Sequence, residues 1–163
     1  MQERGFSLIE LLIVVAIILI ISAIAIPSYL HSKISANEAS AVYSIRTINT
    51  AQTTYATTFP RLGYAYTLNQ LASPTTGMTS SANAGVLDWV LGCTTTICPK
   101  SGYNFQIANV PSSPPADAPI SSYSVWGTPM SIGITGYRGF CSDNLNPVFV
   151  DPNGGTNCTV SLQ

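Results

Sequence analysis

The chain has 163 residues, a net charge of −1 and only 8% charged residues. Its six Lys and Arg residues are spread singly, so no basic stripe exists of the kind that contacts nucleic-acid phosphates, and nucleic-acid binding is not supported. Beyond an apolar N-terminus, the remaining length accommodates one modest globular domain.

A long apolar run lies near the start of the chain. Residues 6–30 are predominantly apolar, and Glu10 is their single charged side chain. As a helix, this run would be about 37 Å long, more than the roughly 30 Å of a bilayer's hydrocarbon core. The sequence therefore predicts a membrane span. A carboxylate inside a span costs about 2.5–3.5 kcal/mol, so Glu10 is predicted to have a specific partner.

The residues around Glu10 carry a family resemblance. The sequence GFSLIE at residues 5–10, the apolar stretch behind it and Pro27 resemble the prepilin signal of type IV pilins and type II secretion pseudopilins. An ordinary secretory signal is cleaved after its apolar region, whereas here a short charged leader, residues 1–5, ends in glycine before that region. The resemblance implies cleavage between Gly5 and Phe6 and methylation of the new Phe6 amine by a prepilin peptidase/methyltransferase. It also implies that the apolar helix is retained.

Cleavage before Phe6 gives Glu10 a possible partner. The new amine is a cation four residues from the Glu10 carboxylate, which can neutralise its own amine or that of a neighbouring subunit. Pairing between subunits fixes the axial offset of their helices, because an unpaired charge is strongly penalised at low dielectric. The alternative is that Glu10 sits partly solvated at the membrane interface.

Pro27 interrupts the span, because its ring removes one backbone hydrogen bond and crowds the preceding turn. The simple expectation is a kink in the helix at Pro27. The pilin resemblance implies a different outcome, in which the helix around Pro27 melts when subunits assemble.

Past residue 30 the apolar pattern becomes periodic. The residues that recur at helical spacing are Ile34, Ala41, Ile45, Ile48, Gln52 and Tyr55. Other faces are assigned to Lys33, Glu38, Arg46, Asn49 and Thr53. One helix over residues 6–57 fits both halves, and the amphipathic half, residues 31–57, needs a sheet along one stripe.

The next region, residues 58–100, is predicted to be a connecting loop because it is rich in small and turn-forming residues. Two short apolar patches, Leu68–Leu71 and residues 86–91, are each predicted to form a helical turn. Within the second patch, Trp89 is predicted to fill the core, as large aromatic side chains usually do.

The last region, residues 101–163, alternates apolar and polar residues between turns. Strand patterns occur at residues 102–108, 122–127, 132–141 and 147–150. The predicted fold is α+β, with a long N-terminal helix packed against an antiparallel sheet of three or four strands. The pilin resemblance implies the same order of elements.

Four cysteines lie on the far side of the span from the leader, which suits an oxidising compartment. Four thiols permit three connectivities. The local pairs Cys93–Cys98 and Cys141–Cys158 are favoured because each closes a loop rich in Thr, Pro or Gly. Zinc is disfavoured, since no C-x₂-C spacing exists and the one histidine, His31, lies beside the span.

The sequence offers little for catalysis. It contains neither a nucleophile elbow nor a phosphate-cradling glycine motif, so an enzyme is not expected and no cofactor is required. Asp143, Asp151 and Asn153 are candidate calcium ligands, because several type II pseudopilins that this chain resembles bind calcium near their C-terminal end. Their spacing does not fit an EF-hand, and turn formation is the alternative use of these residue types.

The resemblance implies a structural subunit of a type IV pilus. Its partners would be further copies in a helical filament, the prepilin peptidase/methyltransferase, the assembly platform and minor pilins. The precursor would reside in the inner membrane and the mature subunit in an extracellular filament on the cell surface. The alternatives are a pseudopilin of a type II secretion system and a membrane-anchored periplasmic binding protein.

Overall fold

The computed structural model describes residues 6–74, 77–109, 118–145 and 147–162. These residues belong to two compact units, one ending at Lys33 and the other beginning at Ile34. A single helix, α1, covers Leu8–Thr58 and contributes to both units. The predicted helix over residues 6–57 is therefore confirmed to within two residues at either end.

The first unit is helical from Leu8 onward and has almost no buried surface. From Phe6 to Lys33 every residue is exposed except Ser22, which is half-buried. This part of α1 is, by length and composition, apolar enough to cross a membrane. Pro27 lies inside the helix without ending it.

In the second unit, one face of α1 is buried. The residues that recur at helical spacing in the sequence, from Ile34 to Tyr55, are all on that face. Glu38 and Asn49 are also buried, at 7% and 5% exposure, so assigning them to other faces was wrong. The polarity of these two residues did not predict their exposure, because a polar side chain with hydrogen-bond partners can be buried between the helix and the sheet.

In the described parts of the chain, the remaining elements are a short helix, α2, and six strands joined as an antiparallel meander in chain order. Their bounds are α2 Leu68–Leu71, β1 Cys98–Lys100, β2 Tyr103–Asn109, β3 Tyr123–Pro129, β4 Gly139–Asp143, β5 Val148–Asp151 and β6 Val160–Ser161.

The α+β class is confirmed, and the sheet has more strands than the predicted three or four. The added strands are β1 and β6, which are three and two residues long and therefore too short to show alternation. The predicted strand over residues 132–141 is formed only from Gly139 onward. Before it, backbone hydrogen bonds from Ile134 and Thr135 to the carbonyl of Ser131 make a turn.

The core lies between the buried face of α1 and the inner face of the sheet. Ile45, Ile48, Phe105, Val125 and Phe140 are completely buried in one cluster. Strand β3 alternates buried and half-buried positions along its whole length, as a strand with one covered face should.

Gly127 is required at the centre of this packing. It pairs with Phe105 on the neighbouring strand, and a Cβ at position 127 would lie 2.9 Å from the Phe105 ring and 3.3 Å from Ile45 Cδ1. The missing side chain leaves the space that both of these residues use.

Trp89 does not fill the core, and that prediction was wrong. Its residue is 77% exposed, whereas Leu87 and Leu91 on either side are buried at 3% and 0% exposure. The segment forms turns, and the two leucines take its inward positions. The other patch, Leu68–Leu71, does form the predicted helical turn.

We expect Ile45→Ala to lower the free energy of unfolding by about 2–5 kcal/mol, because it leaves a cavity at a fully buried position. Urea unfolding of the detergent-solubilised chain, followed by tryptophan fluorescence, measures this. The control is Tyr43→Ala on the same helix, where the side chain is 69% exposed and the effect should stay within about 0.5 kcal/mol. Equal effects of the two substitutions would contradict the proposed core.

Candidate functional site

The first candidate site is the N-terminal end of α1. Phe6 is 79% exposed and Leu8 begins the helix, with Glu10 in the first turn. The backbone N–H of Ser7 donates to Glu10 Oε2 at 3.1 Å. Among the described residues, no Lys, Arg or His side chain forms an ion pair with Glu10.

This hydrogen bond gives Glu10 a second role, which the sequence reasoning missed. Residues 7–10 read Ser-Leu-Ile-Glu, the S-x-x-E spacing of a capping box, in which the acidic side chain accepts from the N-cap backbone N–H. The signal was therefore present in the sequence. A carboxylate in the first turn also interacts favourably with the helix dipole.

The other N-terminal candidates are placed as follows. Gly5, the residue predicted to precede the cleaved bond, lies outside the described residues. Pro27 lies in the interior of α1, where it has no N–H to donate to the carbonyl of Ala23. The roles predicted for Gly5, Phe6, Glu10 and Pro27 in processing and assembly stay predictions.

A second polar site joins α1 to the segment between β3 and β4. Glu38 Oε1 accepts from the backbone N–H groups of Tyr137 at 2.9 Å and Arg138 at 3.2 Å. Glu38 Oε2 accepts from Arg138 Nε at 2.8 Å and Nη2 at 2.6 Å. One carboxylate thus takes four donors across about a hundred residues of sequence.

These contacts decide the ionisation of Glu38. Burial alone raises its pKa, but the hydrogen bonds from the Arg138 side chain and from the Tyr137 and Arg138 backbone, with the guanidinium charge, outweigh burial. The pKa of Glu38 therefore lies below its ordinary 4.5. Since the Arg138 side chain is about half exposed, the pair is not sealed from solvent.

Two further buried polar side chains of α1 also have hydrogen-bond partners on other elements. Gln52 donates to the carbonyl of Ala65 at 3.0 Å and accepts from the Ala65 N–H at 2.8 Å. Asn49 Nδ2 donates to Ser142 Oγ at 2.7 Å, and Asn49 Oδ1 accepts from the Tyr123 hydroxyl at 3.0 Å. Burial raises the pKa of Tyr123, so its hydroxyl stays protonated as this donor.

The cysteines form the two disulfides that the sequence favoured, Cys93–Cys98 and Cys141–Cys158. The first closes a small loop between the turn that carries Trp89 and strand β1. The second ties β4 to the segment just before β6.

The calcium candidates do not come together as one ligand set. Asp151 pairs with Gly139 at the opposite end of the β4–β5 hairpin from Asp143. Asp151 is 4% exposed and accepts from the N–H groups of Asn153 and Asn157 at 2.9 and 3.0 Å, while Asp143 accepts from Leu145 N–H. These are turn contacts. In the described part of the chain, no group of three or more His, Cys, Asp or Glu side chains is placed to hold a metal ion.

The Glu38 site generates a pH-dependent prediction. A carboxyl whose folded pKa is lowered stabilises the fold at pH values above its unfolded pKa, and this stability is lost as the pH falls through the folded value. We expect Glu38→Gln to lower the free energy of unfolding by about 1.5–3 kcal/mol near pH 7, and the difference from wild type to shrink below about pH 4. Denaturant unfolding at a series of pH values measures both.

The matched control for Glu38→Gln is Asp143→Asn, which removes one negative charge from the same unit and keeps the acceptor oxygen used by Leu145 N–H. We expect a smaller effect from this change. A Glu38→Gln deficit that does not vary between pH 3 and pH 7 would show that the carboxylate charge is not what stabilises the contact.

Comparisons with known proteins match the N-terminal part of the chain. The family model described as "Prokaryotic N-terminal methylation motif" matches residues 1–26. The chain is also similar to the type IV major pilin protein PilA of Myxococcus xanthus (strain DK1622), with 43% identity over 54 residues. This alignment covers 33% of the present chain and spans only 24% of the relative's length. No solved structure matches the chain.

The two matches agree with the residues that carried the resemblance. The methylation motif covers Gly5, Phe6, Glu10 and most of the exposed apolar part of α1. The N-terminal part of the chain therefore carries the methylation motif and is similar to a type IV pilin.

Proposed function

We propose that this protein is a structural subunit of a type IV pilus, processed from a precursor and assembled through its N-terminal helix into a helical surface filament. The observation that carries the proposal is the uncovered apolar part of α1, which is exposed from Phe6 to Lys33 except at Ser22 and overlaps the methylation motif up to residue 26. Such a surface needs either lipid or other helices around it, because water is an unfavourable neighbour for it.

A filament supplies that cover once the subunit leaves the membrane. Apolar surface removed from water contributes about 25 cal/mol per Å², so packing of these helices with one another offsets the loss of lipid contact. When copies of the helix stack along one axis in the same orientation, the surface that one copy presents differs from the surface that it contacts on its neighbour. Each copy therefore uses two different surfaces, and repetition of such a contact gives an open-ended fibre.

In this proposal the chain is divided by role. Residues 1–5 are a leader removed by the prepilin peptidase/methyltransferase, and residues 6–30 anchor the precursor in the inner membrane and later form the filament core. The amphipathic residues 31–57 hold the head, which consists of the connecting region 58–100 and the sheet region 101–163. Pro27 marks a segment of the core helix that melts on assembly, and the assembly platform and minor pilins are the further partners.

Glu10 sets the register between subunits. Its Oε2 lies 3.1 Å from the amide nitrogen of Ser7, so the carboxylate is held at the end of the helix where cleavage creates the Phe6 amine. Pairing with that amine, on its own chain or on a neighbour, neutralises both charges in a low-dielectric core. Assembly then depends on processing, because the amine is absent from the precursor.

The aligned relative favours a pilus over the alternatives. It is a type IV major pilin, and neither a secretion pseudopilin nor a binding protein. Purified surface filaments in which this chain is the bulk component would support the pilus. A deletion that stops protein secretion and leaves surface fibres unchanged would favour the pseudopilin, and a processed protein that never assembles would favour the binding protein.

We expect Glu10→Ala to leave leader cleavage largely intact and to impair filament growth, because the Phe6 amine loses its partner. Mass spectrometry of the mature N-terminus and electron microscopy of sheared filaments measure the two effects. Glu10→Gln is the matched variant, since its side-chain oxygen can still accept from Ser7 N–H but carries no charge.

The two variants separate the roles of Glu10. If the charge is required, Glu10→Gln is impaired in assembly just as Glu10→Ala is. Normal filaments from Glu10→Gln would reduce Glu10 to a helix cap, and normal filaments from both variants at normal subunit levels would remove the assembly role.

A further inference from the structure

Trp89 is an exposed aromatic side chain on a fixed turn. Asp88 Oδ1 accepts from the N–H groups of Val90 and Leu91 at 2.9 and 2.8 Å, and Gly92 N–H donates to the carbonyl of Asp88 at 2.8 Å. Lys100 Nζ lies 3.3 Å from Asp88 Oδ2. These contacts close the turn around Trp89 and connect it to strand β1.

The same turn is also anchored in the hydrophobic core by its buried residues. Leu87 and Leu91 are buried on either side of Trp89. Gly92 packs closely against Ala72, the residue that follows α2, and a Cβ added at position 92 would lie 2.4 Å from Ala72 Cβ. The next residue, Cys93, is held by the disulfide to Cys98. The backbone is thus fixed, while the indole is 77% exposed. A rigid, exposed tryptophan is typical of a binding surface, since little conformational entropy is lost when it is covered.

An open cleft lies beside this indole. It has a volume of about 670 Å³, within the range of small-ligand sites, and its walls combine the indole with Val90 and Pro99. Its polar groups include Asn69, Asn83 and Thr94. Asn83 Nδ2 donates to the carbonyl of Asn69, and no described residue hydrogen-bonds the side-chain amide of Asn69 or the hydroxyl of Thr94.

A second cleft continues from the first. It has a volume of about 520 Å³ and shares Asn69 and Thr94 as lining residues, with Thr95, Thr96 and Ile107 farther along. Among the described residues, none that lines either cleft is Asp, Glu, Lys, Arg or His. The Asp88 and Lys100 side chains on the neighbouring turn and strand are paired with each other and line neither cleft, so a charged ligand would lose hydration without a free counter-charge in the lining.

The aromatic residue, the neutral polar groups and the lack of charged residues in the described lining indicate which class of ligand the clefts fit. An apolar ring face beside neutral amide and hydroxyl groups suits a molecule with one apolar face and a rim of hydroxyls, which describes a neutral sugar ring. A quaternary ammonium ligand would need several aromatic walls, whereas the first cleft has one aromatic side chain among its described residues. The two adjoining clefts, of about 670 and 520 Å³, have the volume for more than one ring.

We propose that the cleft formed by Trp89, Asn69, Asn83 and Thr94 binds a neutral saccharide, with one sugar ring stacked on the indole of Trp89. The amide of Asn69 and the hydroxyl of Thr94 bond to the sugar's hydroxyl or acetamido groups. All of these residues lie in the unit that begins at Ile34, so a single chain carries the whole site.

The test uses the full chain, purified in a detergent without a sugar head group. The probes are N,N′-diacetylchitobiose and lactose as neutral disaccharides, with glucuronic acid as a charged comparison. Saturation-transfer NMR and tryptophan fluorescence titrations report binding. We expect saturable binding of at least one neutral disaccharide and none of glucuronic acid.

Variants locate the site. We expect Trp89→Ala to raise the Kd about tenfold or more, Trp89→Phe to raise it less because a ring face remains, and Asn69→Ala to weaken binding. Trp126→Phe, which changes the other tryptophan on strand β3, should leave the Kd unchanged. Circular dichroism and the Tm verify that each variant is folded.

Three outcomes overturn the proposal. They are no saturable binding of either disaccharide to the intact chain, equal affinity of wild type and folded Trp89→Ala, or glucuronic acid bound as tightly as the neutral sugars. A Trp89→Ala variant that binds no less sugar but changes self-association would make Trp89 a contact between copies.

Discussion

The packing of the second half of α1 on the sheet is the contact on which the rest of the head depends. The meander of short antiparallel strands, β1 to β6 among the described residues, has one apolar face and cannot bury it alone. Ile45 and Ile48 on the helix join Phe105, Val125 and Phe140 on the strands in one fully buried cluster. Gly127 provides the space for this packing, and the connecting region adds Leu87 and Leu91 to the same core.

Polar contacts fix how the helix lies on the sheet. Apolar packing alone is non-directional, so several rotations or shifts of α1 would bury similar areas. Glu38, Asn49 and Gln52 each meet a specific partner, and any shift would leave a buried polar group unpaired at a cost of about 1–3 kcal/mol. The hydrogen bonds of these three side chains thus select one position of α1 on the sheet among those that apolar packing would allow.

The two halves of α1 meet different demands with one helix. From Ile34 onward the helix has a covered face, whereas from Phe6 to Lys33 the chain offers it almost no cover. An apolar surface of this kind is stable in lipid or against other helices. That requirement connects the fold to the proposed filament, in which Glu10, the one charged side chain in residues 6–30, is the group that we propose sets the offset between neighbouring helices.

The sequence by itself determined the long helix, the α+β class, the N-terminal motif and the favoured disulfide pairs, because apolar periodicity and short motifs are local signals. Only the tertiary structure revealed β1 and β6, which exist through pairing with longer neighbours. It also decided that Glu38 and Asn49 are buried, since their partners lie between 74 and 100 residues away in the sequence. Trp89 was misplaced for a related reason. Its hydrophobicity predicted burial, but Leu87 and Leu91 occupy the inward positions of the turn, and which side chains face inward depends on a backbone path fixed by distant contacts.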